Sequence, residues 1–222
     1  IFRAWFALPG NLVTRDGLHT NAAFGFATMF RKLFSGKTPA LGAVIFDAPG
    51  PTFREEIYPD YKAQRPPMPG DLREQLPTID QIVTAHGFPI LREPGYEADD
   101  VIGTLTRLAR EAGHEVWIIS GDKDFCQLID ADVRMIDTLR DVTFDAELVR
   151  KKWGVLPERF VDLLALMGDT ADNIPGVPGI GAKGAAALLE RFGDLDGVLD
   201  GTDQLKGKQQ ESLREHRDRA LL

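Results

Sequence analysis

The sequence predicts an α/β fold, with a mainly parallel central sheet flanked by helices over residues 1–145 and a helical subdomain over 146–222. Three observations carry this. Short apolar runs at 43–46, 88–91, 115–120 and 133–137 are interleaved with segments of helical period, and from about Ala146 the pattern turns helical throughout. Asp47 and Gly121-Asp122 close two of these runs, at the strand ends where parallel sheets bind their ligands. From Pro157 onward, apolar spacing is helical on both sides of a glycine-rich stretch at 168–181.

The elements follow in order. Ile1 to Leu8 reads as the interior of an element. Asn21 to Phe34 places Ala23, Phe26, Ala27, Phe30 and Leu33 on one helical face, with Gly36 as the stop. Ala43-Val44-Ile45-Phe46 reads as a strand buried on both faces. Residues 48–70 hold Pro49, Pro51, Pro59, Pro66, Pro67 and Pro69 among Arg54, Tyr58, Tyr61, Lys62 and Arg65. That is too long for an ordinary connection, and such loops are functional or disordered. Asp71 to His86 is helical, with a kink expected at Pro77. Phe88 to Leu91 is a second strand. Ala98 to Ala112 is an amphipathic helix with Val101, Ile102, Leu105, Leu108 and Ala109 on one face and Gly113 as its stop. Glu115 to Ser120 and Val133 to Asp137 are the third and fourth strands. Helices are expected over Pro157 to Met167, Ala182 to Phe192 and Asp203 to His216.

Composition bounds the function. The 222 residues are 43% hydrophobic and 27% charged, which suits a globular chain that buries a substantial core. No apolar run approaches the roughly 20 residues needed to span a bilayer, and no secretory signal is present. Together with the lone Cys126, this leads to the expectation of a reducing, cytoplasmic setting without a membrane partner. Cys126 reads as a small packed residue. The net charge of −8 argues against a polyanionic partner at first sight. Setting aside eight grouped carboxylates, however, leaves 26 acids against 26 Lys and Arg, so a local basic face is compatible with the total.

Those eight are Asp47; Glu97, Asp99 and Asp100; Asp122 and Asp124; and Asp169 and Asp172. Acids packed together repel one another and raise each other's pKa unless a cation lies between them. Each group has a simpler reading. Acids in a first helical turn contribute about 0.3–1 kcal/mol each, which accounts for one or two of Glu97, Asp99 and Asp100 but not a third. Asp-x-Asp also occurs in phosphatases with an aspartyl nucleophile, and Asp169-Thr170-Ala171-Asp172-Asn173 suits a turn. Jointly, the four groups point to hard divalent cations held by oxygen. His19, His86, His114 and His216 are scattered, which argues against zinc. The natural proposal is an all-oxygen site for two ions about 3.5–4 Å apart that hydrolyses a phosphodiester.

Ile174-Pro175-Gly176-Val177-Pro178-Gly179-Ile180-Gly181-Ala182-Lys183 is the second signal. Its glycines let backbone amides approach a ligand, the following helix offers its N-terminus to an anion, and Lys183 adds a positive charge. A tight structural turn is the plainer alternative. A hairpin that grips a phosphate backbone without reading bases fits the length and glycine density.

Together these residues resemble the 5′-nuclease family, and in particular the 5′→3′ exonuclease domain of bacterial DNA polymerase I. The resemblance runs through Phe46-Asp47-Ala48, Phe53-Arg54, 61–69, 97–104, 121–124 and 164–181, nearly the whole chain. It implies a PIN/5′-nuclease-like fold and a structure-specific, two-metal phosphodiesterase. The substrates implied are DNA with a 5′ flap, nick or branched end, and RNA primers, in replication and repair. Asp47, Glu97, Asp99, Asp100 and Asp122 would serve one Mg²⁺ or Mn²⁺, and Asp124, Asp169 and Asp172 the other. Residues about 48–70 would form an arch over the 5′ flap, with Arg54 and Tyr61 on the DNA and Lys62 and Arg65 near the scissile phosphate. Arg3 would lie near the active site. Gly176, Gly179, Gly181 and Lys183 would belong to a helix-hairpin-helix over about 157–192, with a bound K⁺. A covalently linked polymerase domain is expected in the native gene. Two departures stand out: the family's first strand and its metal-binding Asp-Gly fall upstream of Ile1, and Gly184 stands where the family has Thr. The first makes a non-cleaving, branched-DNA-binding fragment the alternative expectation.

Overall fold

The computed structural model describes residues 1–35 and 39–222, with Arg3 described by its backbone alone. The helix stop expected at Gly36 lies outside the described residues. In chain order the helices are α1 (Phe2–Ala7), α2 (Asn21–Leu33), α3 (Phe53–Ile57), α4 (Gly70–Arg73), α5 (Leu76–Ala85), α6 (Ala98–Glu111), α7 (Ala146–Trp153), α8 (Phe160–Met167), α9 (Ala182–Phe192), α10 (Leu195–Asp200), α11 (Gly207–Glu215) and α12 (Arg217–Ala220). The strands are β1 (Val44–Ile45), β2 (Ile90–Leu91), β3 (Val116–Ile119), β4 (Val133–Asp137) and β5 (Val142–Phe144). Two compact units result: Ile1–Gly50 with Arg65–Ala98, and Pro51–Gln64 with Asp99–Leu222.

In the first unit β1 and β2 pair in parallel, with Val44 opposite Ile90 and Ile45 opposite Leu91. Both residues of β1 are half-buried, so the strand is shorter and more open than its apolar run implies. The core is formed by Ala22, Phe26 and Phe30 of α2 with Leu72 of α4 and Ile79 and Val83 of α5. The first backbone N–H groups of a helix have no partner within it. Here the buried side chain of Gln75 accepts from Ala22 N at 2.9 Å and Ala23 N at 3.1 Å. Its amide nitrogen donates to Asn21 Oδ1 and to the Asp71 carbonyl, each at 3.0 Å. The expected kinked helix over 71–86 is two helices. Pro77 lies in the first turn of α5, where its missing N–H costs nothing, so the chain restarts rather than bends.

In the second unit β3 runs parallel to β4, with Val116 opposite Val133 through Ile119 opposite Ile136. β5 closes antiparallel on β4, with Met135 opposite Phe144. Among the described residues the strands thus form two separate ladders rather than one central sheet. β5 lies outside the sequence-based expectation: its hairpin turns at Asp141, which takes φ +54 where a glycine is the usual signal. β3 is buried on one face only. Ile118 points inward, while Trp117 and Ile119 are 49% and 40% exposed. One hydrophobic core joins Ile118, Met135 and Phe144 of the sheet to Val149, Phe160, Leu163, Leu188 and Leu213 of the C-terminal helices. α10, unexpected from sequence, begins where Asp194 accepts a hydrogen bond from Gly197 N at 2.8 Å.

Candidate metal centre

The chain leaves β3 through Ser120, whose hydroxyl accepts from Asp122 N at 3.0 Å. Asp122 then caps the 3₁₀ turn Lys123–Leu128, accepting from Asp124 N at 3.2 Å. Phe125 and Cys126 anchor that turn in the core, so its polar first residues face outward. Burial pushes the Cys126 thiol up to about 11, which makes it a packed residue and not a nucleophile.

A second polar turn follows α8. Asp169 and Ile174 exchange backbone hydrogen bonds at 2.8 Å, closing the loop between them. Asp169 Oδ1 accepts from Ala171 N at 2.9 Å, which leaves Oδ2 to face away from the loop. Gly168 and Gly176 lie against each other beneath it. A Cβ on Gly176 would come within 2.2 Å of Gly168 N, so this glycine is required by packing.

These two turns bring Asp124, Asp169 and Asp172 together. Each offers a carboxylate oxygen, and the three oxygens lie within 4.8 Å of one another. The side chains are 26%, 10% and 17% exposed, respectively. Burial, aided by the charges of Asp122 and Asp169, raises the pKa of Asp124 even though Lys123 pulls it down. Lys123 forms salt bridges to Asp169 Oδ2 and, at 3.2 Å, to Asp124 Oδ1. Burial opposes the charge on Lys123, but its bond to Asp169 and the charge of Asp124 outweigh this and raise its pKa. One ammonium thus pairs with two of the three acids. Three hard oxygen donors with an excess of negative charge fit a divalent cation. Lys123 was not among the candidates drawn from sequence; its place inside Asp-Lys-Asp was the available signal.

Asp172 also meets the segment that sequence marks as an arch. The Tyr61 hydroxyl donates to Asp172 Oδ2 at 3.1 Å, and Lys62 Nζ lies 3.7 Å from the same oxygen. Arg54 of α3 makes a two-pronged pair with Asp100, at 2.6 and 2.8 Å. Arg54 and Lys62 also flank the Tyr61 ring, 5.9 and 4.7 Å from its centre. A cavity of about 350 Å³ opens beside them, lined by Arg54, Asp99, Asp100, Gly103 and Asp124 among others. In the first unit Asp47 Oδ1 accepts from Ala98 N at 2.8 Å, next in sequence to Glu97. Arg65 is exposed at the start of that unit's second segment. The side chain of Arg3 lies outside the described residues.

The glycine hairpin joins α8 to α9. Val177 and Ile180 are buried and hold it down. Gly179, at φ +81, and Gly181 have nothing within 4 Å of a built Cβ, so their backbones face open space. Lys183 is exposed in the first turn of α9. The hairpin glycines therefore differ: Gly176 is used by packing, while Gly179 and Gly181 are open to a ligand.

Two family models cover the chain end to end: the 5′-3′ exonuclease N-terminal resolvase-like domain over residues 1–154, and the 5′-3′ exonuclease C-terminal SAM fold over 155–222. The chain belongs to the 5′-3′ exonuclease family. It is 44% identical over 199 residues to a 5′-3′ exonuclease of Aquifex aeolicus, covering 90% of this chain and 68% of that protein. It is 45% identical over its whole length to DNA polymerase I of Bacillus caldotenax, of which it spans 26%. Among solved structures, T5 5′-exonuclease with bound zinc superposes at a TM-score of 0.77 and 26% identity, covering 90% of this chain and 78% of that one. Zinc is bound in that relative, so scattered histidines and a lone cysteine do not by themselves exclude it.

Proposed function

We propose that the chain is a structure-specific 5′ nuclease that hydrolyses phosphodiesters at 5′ flaps, nicks and primer ends with two Mg²⁺ or Mn²⁺ ions. The observation that carries this is the meeting of Asp124, Asp169 and Asp172 beside Tyr61 and Lys62. A solved T5 relative, a flap endonuclease complexed with DNA and metal ions, supports it at 25% identity and a TM-score of 0.72.

Asp124, Asp169 and Asp172 would hold one ion; Asp47, Glu97, Asp99, Asp100 and Asp122 would serve the other. Bound divalent ions would supply an activated water and stabilise the leaving oxygen. Lys62 would neutralise the phosphate near the cut, with Arg65 and Arg3 as further cations. Tyr61 offers a ring face to an unpaired base. Arg54 holds Asp100 and ties α3 to the start of α6. Gly179, Gly181 and Lys183 would hold the duplex backbone through amides and charge, with K⁺ against the hairpin carbonyls. In this reading residues 1–145 form the nuclease core with its arch, and 146–222 supply Asp169 and Asp172 as well as the duplex grip. A polymerase domain would be joined to them in the native gene, as in the polymerase relatives.

The test uses the full-length protein, a 5′-flapped duplex and Mg²⁺. Cleavage is expected, and loss of cleavage in the Asp122→Ala, Asp169→Ala double variant. An inactive wild type, or a double variant that still cuts, contradicts the proposal. Binding should weaken steeply with salt as counterions return to the phosphates.

A further inference from the structure

Residues 58–64 and 169–174 meet turn against turn within the second unit. Asn173 Nδ2 donates to the Asp60 carbonyl at 2.7 Å. Lys62 N donates to the Asp172 carbonyl at 3.0 Å. Gln64 Nε2 donates to the carbonyls of Thr170 and Ala171 at 3.1 and 3.2 Å. Both turns also hold a non-glycine residue in the left-handed region, Lys62 at φ +53 and Asn173 at φ +61. Such conformations are unfavourable for most side chains and persist where surrounding contacts over-determine them. Here the contacts are those between the two turns.

The consequence is directional. Asn173 follows Asp172 directly, and Lys62 follows Tyr61, so the backbone bonds fix both partners of the Tyr61–Asp172 and Lys62–Asp172 contacts. We propose that Asn173 and Gln64 form a clasp that sets Lys62 and Tyr61 at a fixed place against the turn carrying Asp169 and Asp172. Asn173 is then a positioning residue for phosphodiester cleavage, acting through Lys62 rather than through an ion or the substrate. This rests on the 5′-nuclease reading. The function of the clasp is to keep the segment that meets the phosphate in register with the carboxylates, so that an ordered site needs both turns.

The clasp is tested in the full-length protein with Asn173→Gly and Gln64→Ala. Asn173→Gly keeps access to positive φ and removes only the donor; Gln64→Ala removes the other side-chain donor and leaves every acid in place. Three quantities are read: trypsin cleavage after Lys62, single-turnover cleavage of a 5′-flapped duplex, and Mn²⁺ affinity. A hydrogen bond of ordinary net worth sets the scale at roughly fivefold to tenfold. Each variant should speed cutting after Lys62 and slow flap cleavage by about that factor, with Mn²⁺ affinity unchanged within about twofold. Asn173→Asp, which tolerates the backbone but cannot donate, should behave like Asn173→Gly. Unchanged trypsin and flap-cleavage rates in all three variants overturn the proposal. So does a loss of Mn²⁺ affinity matching the loss of cleavage, since the turn itself would then have failed. If the wild type does not cut DNA, the 5′-nuclease reading falls, while the trypsin rates still report on the clasp.

Discussion

Two polar clusters in this chain obey opposite rules. In the first unit Gln75 is buried, neutral and fully partnered, with both sides of its amide engaged. In the second unit Asp124, Asp169 and Asp172 crowd within 4.8 Å of one another, with Lys123 paired to the first two and Lys62 3.7 Å from the third. The first cluster satisfies the exposed end of α2 and leaves nothing over, as a group selected for folding should. The second keeps an excess of like charge in a partly buried place, which costs stability and makes sense as a site awaiting a cation. A satisfied network marks structure; an unbalanced one marks chemistry.

The largest expected break in this comparison is Asp169→Asn. It keeps the shape and the acceptor for Ala171 N while removing charge from the cluster. Flap cleavage should fall on the order of a thousandfold, since a bound ion contributes several kcal/mol to such a reaction. The melting temperature in EDTA should change little, because lost repulsion offsets the lost Lys123 pair. Gln75→Ala should do the reverse. It strands two buried N–H groups, one buried acceptor and one half-buried acceptor, and should cost about 2–4 kcal/mol in urea denaturation with no change in ion affinity.

Much of this contrast was legible in the sequence. The acids stand out because they recur at strand ends and helix starts, and the glycine hairpin because of its density. Gln75 gave no signal, since a lone glutamine in a helical run looks like a solvated residue until α2 is placed beside it. Lys123 was hidden by the acids on either side. The strand at Val142–Phe144 escaped because Asp141 takes a left-handed conformation that sequence reading assigns to glycine. The split into two ladders was not legible because hydrogen-bond pairing between strands is a long-range property. The glycines of the hairpin looked alike in sequence, and only packing separates Gly176 from Gly179 and Gly181.

Smaller effects sharpen the contrast. Lys123→Met removes the positive charge shared by Asp124 and Asp169. Charge pairs at such distances are worth about 1–4 kcal/mol near a surface. Mn²⁺ affinity should therefore tighten about tenfold by titration calorimetry, while stability in EDTA falls. The smallest effect is in pH. The folded pKa of Asp124 lies above its ordinary value of 3.8, mainly through burial. The folded state therefore binds that proton more tightly than the unfolded state does. The Asp124 contribution to stability is greatest below 3.8 and declines as pH rises through the raised value. Asp124→Asn should flatten that decline in denaturation curves measured without divalent ions, and Mg²⁺ at neutral pH should offset it in the wild type.

The most direct measurement is a Mn²⁺ titration of the full-length protein followed by electron paramagnetic resonance, with wild type, Asp169→Asn and Gln75→Ala side by side. The contrast predicts that wild type and Gln75→Ala bind Mn²⁺ alike, and that Asp169→Asn loses or strongly weakens one ion. Equal binding by wild type and Asp169→Asn would contradict it and leave the three carboxylates without the role assigned to them.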